Sequence, residues 1–122
     1  MNWIKLDSEN NIEDIKNRSL DKRILIFKFS PRCAINILMR GLFEREWIED
    51  EMEMKTYFLD IMEYPGLSKK IETEFNVIHQ SPQILIIENK KCIYSASHGG
   101  VDYKKIRRYS NLRKIKEYGS QA

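Results

Sequence analysis

The run Ile24-Leu25-Ile26-Phe27-Lys28-Phe29 constrains the fold of this chain more than any other segment. Its odd and even positions are both apolar, with Lys28 the sole interruption. That pattern describes a strand covered on both faces, as in a largely parallel sheet with helices on either side. Ser30-Pro31 ends the run, and apolar residues then recur at Ile35, Leu38, Met39, Leu42 and Phe43. This spacing predicts a helix from Cys33 to about Trp47, with those residues as its inward stripe. Cys33 therefore stands where a strand turns into a helix. A thiol there meets unpaired backbone N–H groups at the positive end of the helix dipole. Such surroundings favour the thiolate, which is the nucleophilic form.

The rest of the chain alternates between strand and helix periods. Trp3 to Leu6 reads as a short strand, and Asp7-Ser8 can cap a helix carrying Ile12, Ile15 and Leu20. Met54 to Leu59 reads as a third strand. Pro65-Gly66 opens a helix with Leu67, Ile71 and Phe75 inward, ending near Asn76. Ile84–Ile87 and Lys91–Ala96 flank Glu88-Asn89-Lys90, a hairpin connection in length and chemistry. Asp102 caps a last helix through Val101, Ile106, Tyr109 and Ile115. The expected order is β-α-β-α-β-α-β-β-α, an α/β class with a mixed sheet of four to five strands. Crossover helices make the first three strands parallel, and the tight turn makes the last two antiparallel. Residues 1–122 read as a single domain, with 118–122 as a disordered tail.

Several function classes are disfavoured. A content of 42% apolar and 11% aromatic residues excludes a disordered chain. No run approaches the roughly 18–20 apolar residues of a membrane helix, so no membrane partner is expected. The start shows no secretory pattern, and two widely separated cysteines are no disulfide framework, which points to a cytoplasmic setting. His79 and His98 with Cys33 and Cys92 lack the paired short spacings of a zinc site, so no metal is expected. The last helix carries Lys104, Lys105, Arg107, Arg108, Arg113, Lys114 and Lys116. Without interleaved aromatics this reads as a solvated face, and no nucleic-acid partner is expected.

Four segments resemble one family: Phe27-Lys28-Phe29-Ser30-Pro31-Arg32-Cys33, Tyr57-Phe58-Leu59-Asp60, Phe75-Asn76-Val77-Ile78-His79-Gln80-Ser81-Pro82-Gln83 and Ser95-Ala96-Ser97-His98. In order and separation they are similar to the bacilliredoxin C family, the bacillithiol-system YtxJ-like proteins. The resemblance implies a thioredoxin-like three-layer fold with helices on both sheet faces. It implies a monothiol thiol–disulfide oxidoreductase, with Cys33 as the catalytic nucleophile. Bacillithiol or a similar small thiol would be co-substrate, S-thiolated cytosolic proteins the partners, and no cofactor would stay bound.

The chain departs from the family at Ala34 and Asn36, where proline and serine are usual, and keeps the usual isoleucine at Ile35. Asn36 is either a solvated helix residue or a donor to the sulfur, and Arg32 either holds an anionic ligand or is a plain surface arginine. Pro82 is either a trans edge proline or, as the resemblance favours, a cis one that leaves the Ser81 backbone to pair with an extended substrate segment. His98, Gly99 and Gly100 are expected at the small-thiol site, their N–H groups facing a ligand carboxylate. Cys92 reads as a packed strand residue. Two alternatives stay open: a redox-inactive thioredoxin-like interaction module, and an iron–sulfur carrier. The usual Cys-Gly-Phe-Ser turn of such carriers is absent from Cys33-Ala34-Ile35-Asn36.

Overall fold

A computed structural model describes residues 1–48 and 52–110. The strands are β1 (Trp3–Lys5), β2 (Ile24–Phe29), β3 (Lys55–Asp60), β4 (Gln83–Glu88) and β5 (Lys91–Ser97). The helices are α1 (Glu9–Arg18), α2 (Ala34–Glu46), α3 (Pro65–Phe75) and α4, whose described part is 103–110. A short 3₁₀ turn, His98–Gly100, follows β5. One five-stranded sheet runs β1-β3-β2-β4-β5, with β1, β3 and β2 parallel and β4 and β5 antiparallel to their neighbours. The fold is thioredoxin-like, as the element order implied. The expected tail at 118–122, together with Arg113, Lys114, Ile115 and Lys116, lies outside the described residues.

Alternation along β2 divides the core. Ile24 and Ile26 join Leu85, Ile87, Ile12 and Ile71 beneath α1 and α3. Leu25, Phe27 and Phe29 face α2 and α4 with Phe43, Trp47 and Ile106. Each such fully buried side chain contributes roughly 1.5–3 kcal/mol. Lys28 falls on the α1/α3 face and is 0% exposed.

Local chemistry sets the ends. Asn11 Oδ1 accepts from the Asp7 and Ser8 N–H groups at 3.0 and 2.9 Å, fixing the start of α1. Pro65 opens α3 and Asn76, at φ 55°, closes it in the left-handed conformation. Asp102 Oδ1 accepts from the Lys104 N–H at 2.9 Å. Beyond it, Lys104, Lys105, Arg107 and Arg108 are exposed while Ile106 is buried, a solvated basic face as expected.

Three local expectations are corrected. Helix α1 ends at Arg18, so Leu20 lies outside it and is exposed. The β4–β5 connection is Asn89-Lys90 alone, because both residues take positive φ (51° and 67°) and Glu88 pairs with Lys91. That is the short hairpin geometry whose twist suits the strands. In α2 the inward stripe is rotated. Ile35, Leu38 and Leu42 are exposed, Phe43 is buried as expected, and Asn36 and Trp47 are buried on its side of the helix. The period was legible but the phase was not. Polar groups with fixed partners occupy the inward side: the Asn36 amide, and the Arg40 guanidinium lying 4.8 and 4.6 Å from the Phe29 and Phe58 ring centres.

Candidate active site

Strand β2 releases the chain at Ser30, and Ser30-Pro31-Arg32 turns it into α2. The Cys33 N–H donates to the Ser30 carbonyl at 3.3 Å, and the Cys33 carbonyl accepts from Ile37 at 3.2 Å. Cys33 is thereby the N-cap of a helix running from Ala34 to Glu46, and it is exposed. Its sulfur receives the Asn36 and Ile35 backbone N–H groups, with the Asn36 side chain adding to them. These donors, the two backbone N–H groups foremost, hold the thiol below its ordinary pKa against the opposing effect of burial. The geometry is the one expected of a cysteine opening a helix.

Asn36 is a solvated residue in neither position nor bonding. It is 2% exposed, and its Oδ1 accepts from the Ser30 N–H at 3.0 Å and the Ser81 hydroxyl at 2.7 Å. With the oxygen so occupied, the amide NH₂ is the end that faces the sulfur. One side chain therefore joins the β2 exit, the Cys33 thiol and the segment before β4. That segment carries a cis Ser81-Pro82 peptide, with Pro82 buried.

The remaining candidates sit at the same end of the sheet, less tightly joined. The His98 N–H donates to the Pro82 carbonyl at 3.0 Å, and its Nε2 meets Gln80 Oε1 at 2.9 Å. His98 thus braces the Pro82 segment, and its own N–H is not the free ligand donor expected. Gly99 and Gly100 complete the 3₁₀ turn without positive φ. Gly99 also lines a cavity of about 200 Å³ with Met39, Leu42 and Tyr103. Arg32 is exposed beside Cys33 by chain adjacency.

Cys92 is placed at the other end. It pairs with Ile87, which pairs with Ile24 at the start of β2, whereas Cys33 follows the end of that strand. The length of β2, about 17 Å at roughly 3.3 Å per residue, lies between those two ends of the sheet. Burial pushes the Cys92 thiol up, and its S–H donates to the Tyr94 carbonyl at 3.2 Å. Among the described residues no three His, Cys, Asp or Glu side chains gather as a metal site. No helix of those residues is long and apolar enough to cross a membrane.

Sequence reasoning passed over a second polar group. Lys28 Nζ donates to the Ser68 carbonyl and to His79 Nδ1, both at 3.2 Å. The Ser68 hydroxyl also meets His79 Nδ1, at 3.0 Å, and the His79 N–H donates to Glu72 at 3.0 Å. Burial pushes Lys28 down to about 8, with Glu72 acting the other way. Burial and then the Lys28 charge lower His79. The available signal was a lysine inside an otherwise apolar run.

Comparison with known proteins gives one family and one fold. Residues 4–106 match the family model described as monothiol bacilliredoxin BrxC. A solved structure described as a putative oxidoreductase with a thioredoxin fold is 25% identical, with a TM-score of 0.75 over 87% of this chain and 91% of the other. Reduced thioredoxin pre-protein of Schistosoma mansoni is 14% identical, with a TM-score of 0.70 over 92% and 98%. The thioredoxin of Malassezia sympodialis is 15% identical, with a TM-score of 0.68 over 92% and 90%.

Proposed function

The chain belongs to the monothiol bacilliredoxin family, whose chemistry is thiol redox exchange, and from that premise we propose that it frees proteins from mixed disulfides with a small thiol, bacillithiol or a close analogue. The Cys33 thiolate attacks the small-thiol sulfur of the mixed disulfide. The bond between that sulfur and the protein cysteine breaks, and the departing protein thiolate takes a proton from water. Cys33 is left disulfide-bonded to the small thiol. Position 36 carries an amide rather than a second sulfur, so a second small thiol completes the cycle. It attacks the bound small-thiol sulfur, releasing Cys33 thiolate and the oxidised small-thiol dimer.

The observation that carries this reading is an exposed Cys33 whose sulfur faces the Ile35 and Asn36 N–H groups at the start of α2. Each unit of thiol pKa lowered toward ambient pH raises the thiolate fraction about tenfold and costs roughly threefold in nucleophilicity, a net gain of about threefold. Ser81 and Pro82 orient the disulfide, with the Ser81 backbone offered to an extended client segment. Arg32, Asn36, His98, Gly99 and Gly100 border the small thiol. Clients are S-thiolated proteins of the cytoplasm, and no cofactor is retained.

Deprotection of an S-bacillithiolated protein tests the reading. Cys33→Ser loses the activity, Cys92→Ser keeps it, and intact mass shows one small-thiol adduct on Cys33. Equal activity in the two variants would end the proposal, as would alkylation of Cys33 no faster than a free thiol at neutral pH. Parallel incubations with oxidised bacillithiol, glutathione and coenzyme A identify the preferred thiol.

A further inference from the structure

At the site end of the sheet, the apolar ladder of the α1/α3 face gives way to two polar residues. Strands β2 and β4 pair Ile24 with Ile87, Ile26 with Leu85, and then Lys28 with Gln83. The first four are core, yet the last two are as deeply placed, Lys28 at 0% and Gln83 at 3% exposure. Opposed residues of an antiparallel pair project from one face. A buried ammonium whose hydrogen-bond partners are a carbonyl and an imidazole is a costly choice where isoleucine would continue the pattern.

Both side chains reach residues 78–82. Gln83 Oε1 accepts from the Gln80 N–H at 3.3 Å, and its Nε2 donates to the Ile78 carbonyl at 3.0 Å. Lys28 takes hold of the residue between them, through His79 Nδ1 at 3.2 Å. An ammonium has no lone pair, so Nδ1 is the acceptor, and the neutral ring carries its proton on Nε2. The Ser68 hydroxyl adds a second contact to Nδ1, and Glu72 holds the His79 backbone. Ser81, the next residue along, is tied to Asn36. Hydrogen bonds therefore hold residues 78 to 81 in succession.

We propose that Lys28 and Gln83 are positioning residues that clamp residues 78–82, so that Ser81 and Pro82 stand at a fixed place beside Asn36 and the Cys33 sulfur. This rests on the reading above of that segment as the docking edge for the mixed disulfide, and it adds what holds the edge in place. The thiol's acidity comes first from the N–H groups of α2 itself, which the clamp does not touch. The clamp thus governs docking rather than ionisation.

The test compares the full chain with Lys28→Met and Gln83→Leu. Amide exchange at His79 and Gln80 accelerates about tenfold or more in each variant, because local opening no longer breaks the clamp bonds. Michaelis constants for a protein mixed disulfide rise several-fold, while Cys33 alkylation by iodoacetamide stays within about twofold. Nitrogen-15 shifts of the native protein place the His79 proton on Nε2 at pH 7. Unchanged amide exchange in folded variants overturns the clamp. An Nδ1-protonated His79 overturns it whether or not the variants fold. If the exchange and tautomer results hold while even the native protein turns over no mixed disulfide, the clamp stands and the reductase reading falls.

Discussion

Cys33 and Cys92 carry the same side chain in opposite surroundings, and that contrast is the most direct test at the scale of single residues. Directed N–H groups favour the Cys33 anion, whereas desolvation disfavours the Cys92 anion. Alkylation followed against pH therefore has its midpoint for Cys33 below that of an ordinary thiol, and for Cys92 above it. Coincident midpoints would contradict the geometry. Asn36→Ala removes the side-chain donor and leaves the Ser30 N–H and Ser81 hydroxyl without their acceptor. It is expected to raise the Cys33 midpoint and to cost about 1–3 kcal/mol in denaturant unfolding. The place of Cys33 at the start of α2 was legible in the sequence because a helix N-terminus is a local feature. The bonding of Asn36 was not, since its partner Ser81 lies 45 positions away and only tertiary contact reveals it.

Elements divide in the same manner between what periodicity fixes and what packing fixes. The hydrophobic period placed α2 within a residue of its observed start, and alternation divided β2 correctly between two cores. Rotation of α2 about its axis escaped the pattern, because apolar residues occupy more than one face of that helix. Asn36, Phe43 and Trp47 lie seven and four residues apart, which is one true helical stripe. Beside it runs the exposed stripe of Ile35, Leu38 and Leu42. The difference is measurable by urea unfolding. Leu38→Gln is expected to change stability by no more than about 0.5 kcal/mol, as for other exposed positions. Phe43→Ala, which empties a position packed against Phe27 and Trp47, is expected to cost about 3–5 kcal/mol. Similar costs for the two would return α2 to the orientation that the sequence suggested.

For the molecule as a whole, the site end of the sheet trades burial of apolar surface for buried polarity, and Lys28 is where that trade can be followed with pH. Folding lowers its pKa from an ordinary 10.5 to about 8. Below about pH 8 both states are protonated, and the folded one bears a constant penalty of about 3 kcal/mol. Between there and 10.5 the unfolded chain holds a proton that the folded chain has released, so this residue's contribution to stability rises with pH. Hydrogen bonds to Ser68 and His79 offset part of the penalty at about 1 kcal/mol each, so Lys28→Met is expected to be near neutral at pH 7. The slope discriminates better than that offset. Tyr57, Tyr64 and Tyr109 have raised values and weaken the fold as pH climbs past 10. Cys33 and Cys92 also have shifted values, and all of these effects cancel in the difference between wild type and variant. Wild type is expected to gain about 2 kcal/mol on Lys28→Met between pH 7 and 9.5, measured by denaturant unfolding at each pH. Parallel profiles would mean that Lys28 is charged and solvated in the folded protein. A gain of that size would show an ammonium kept out of water beneath residues 78–81, the segment that Ser81 ties to Asn36 at the start of α2.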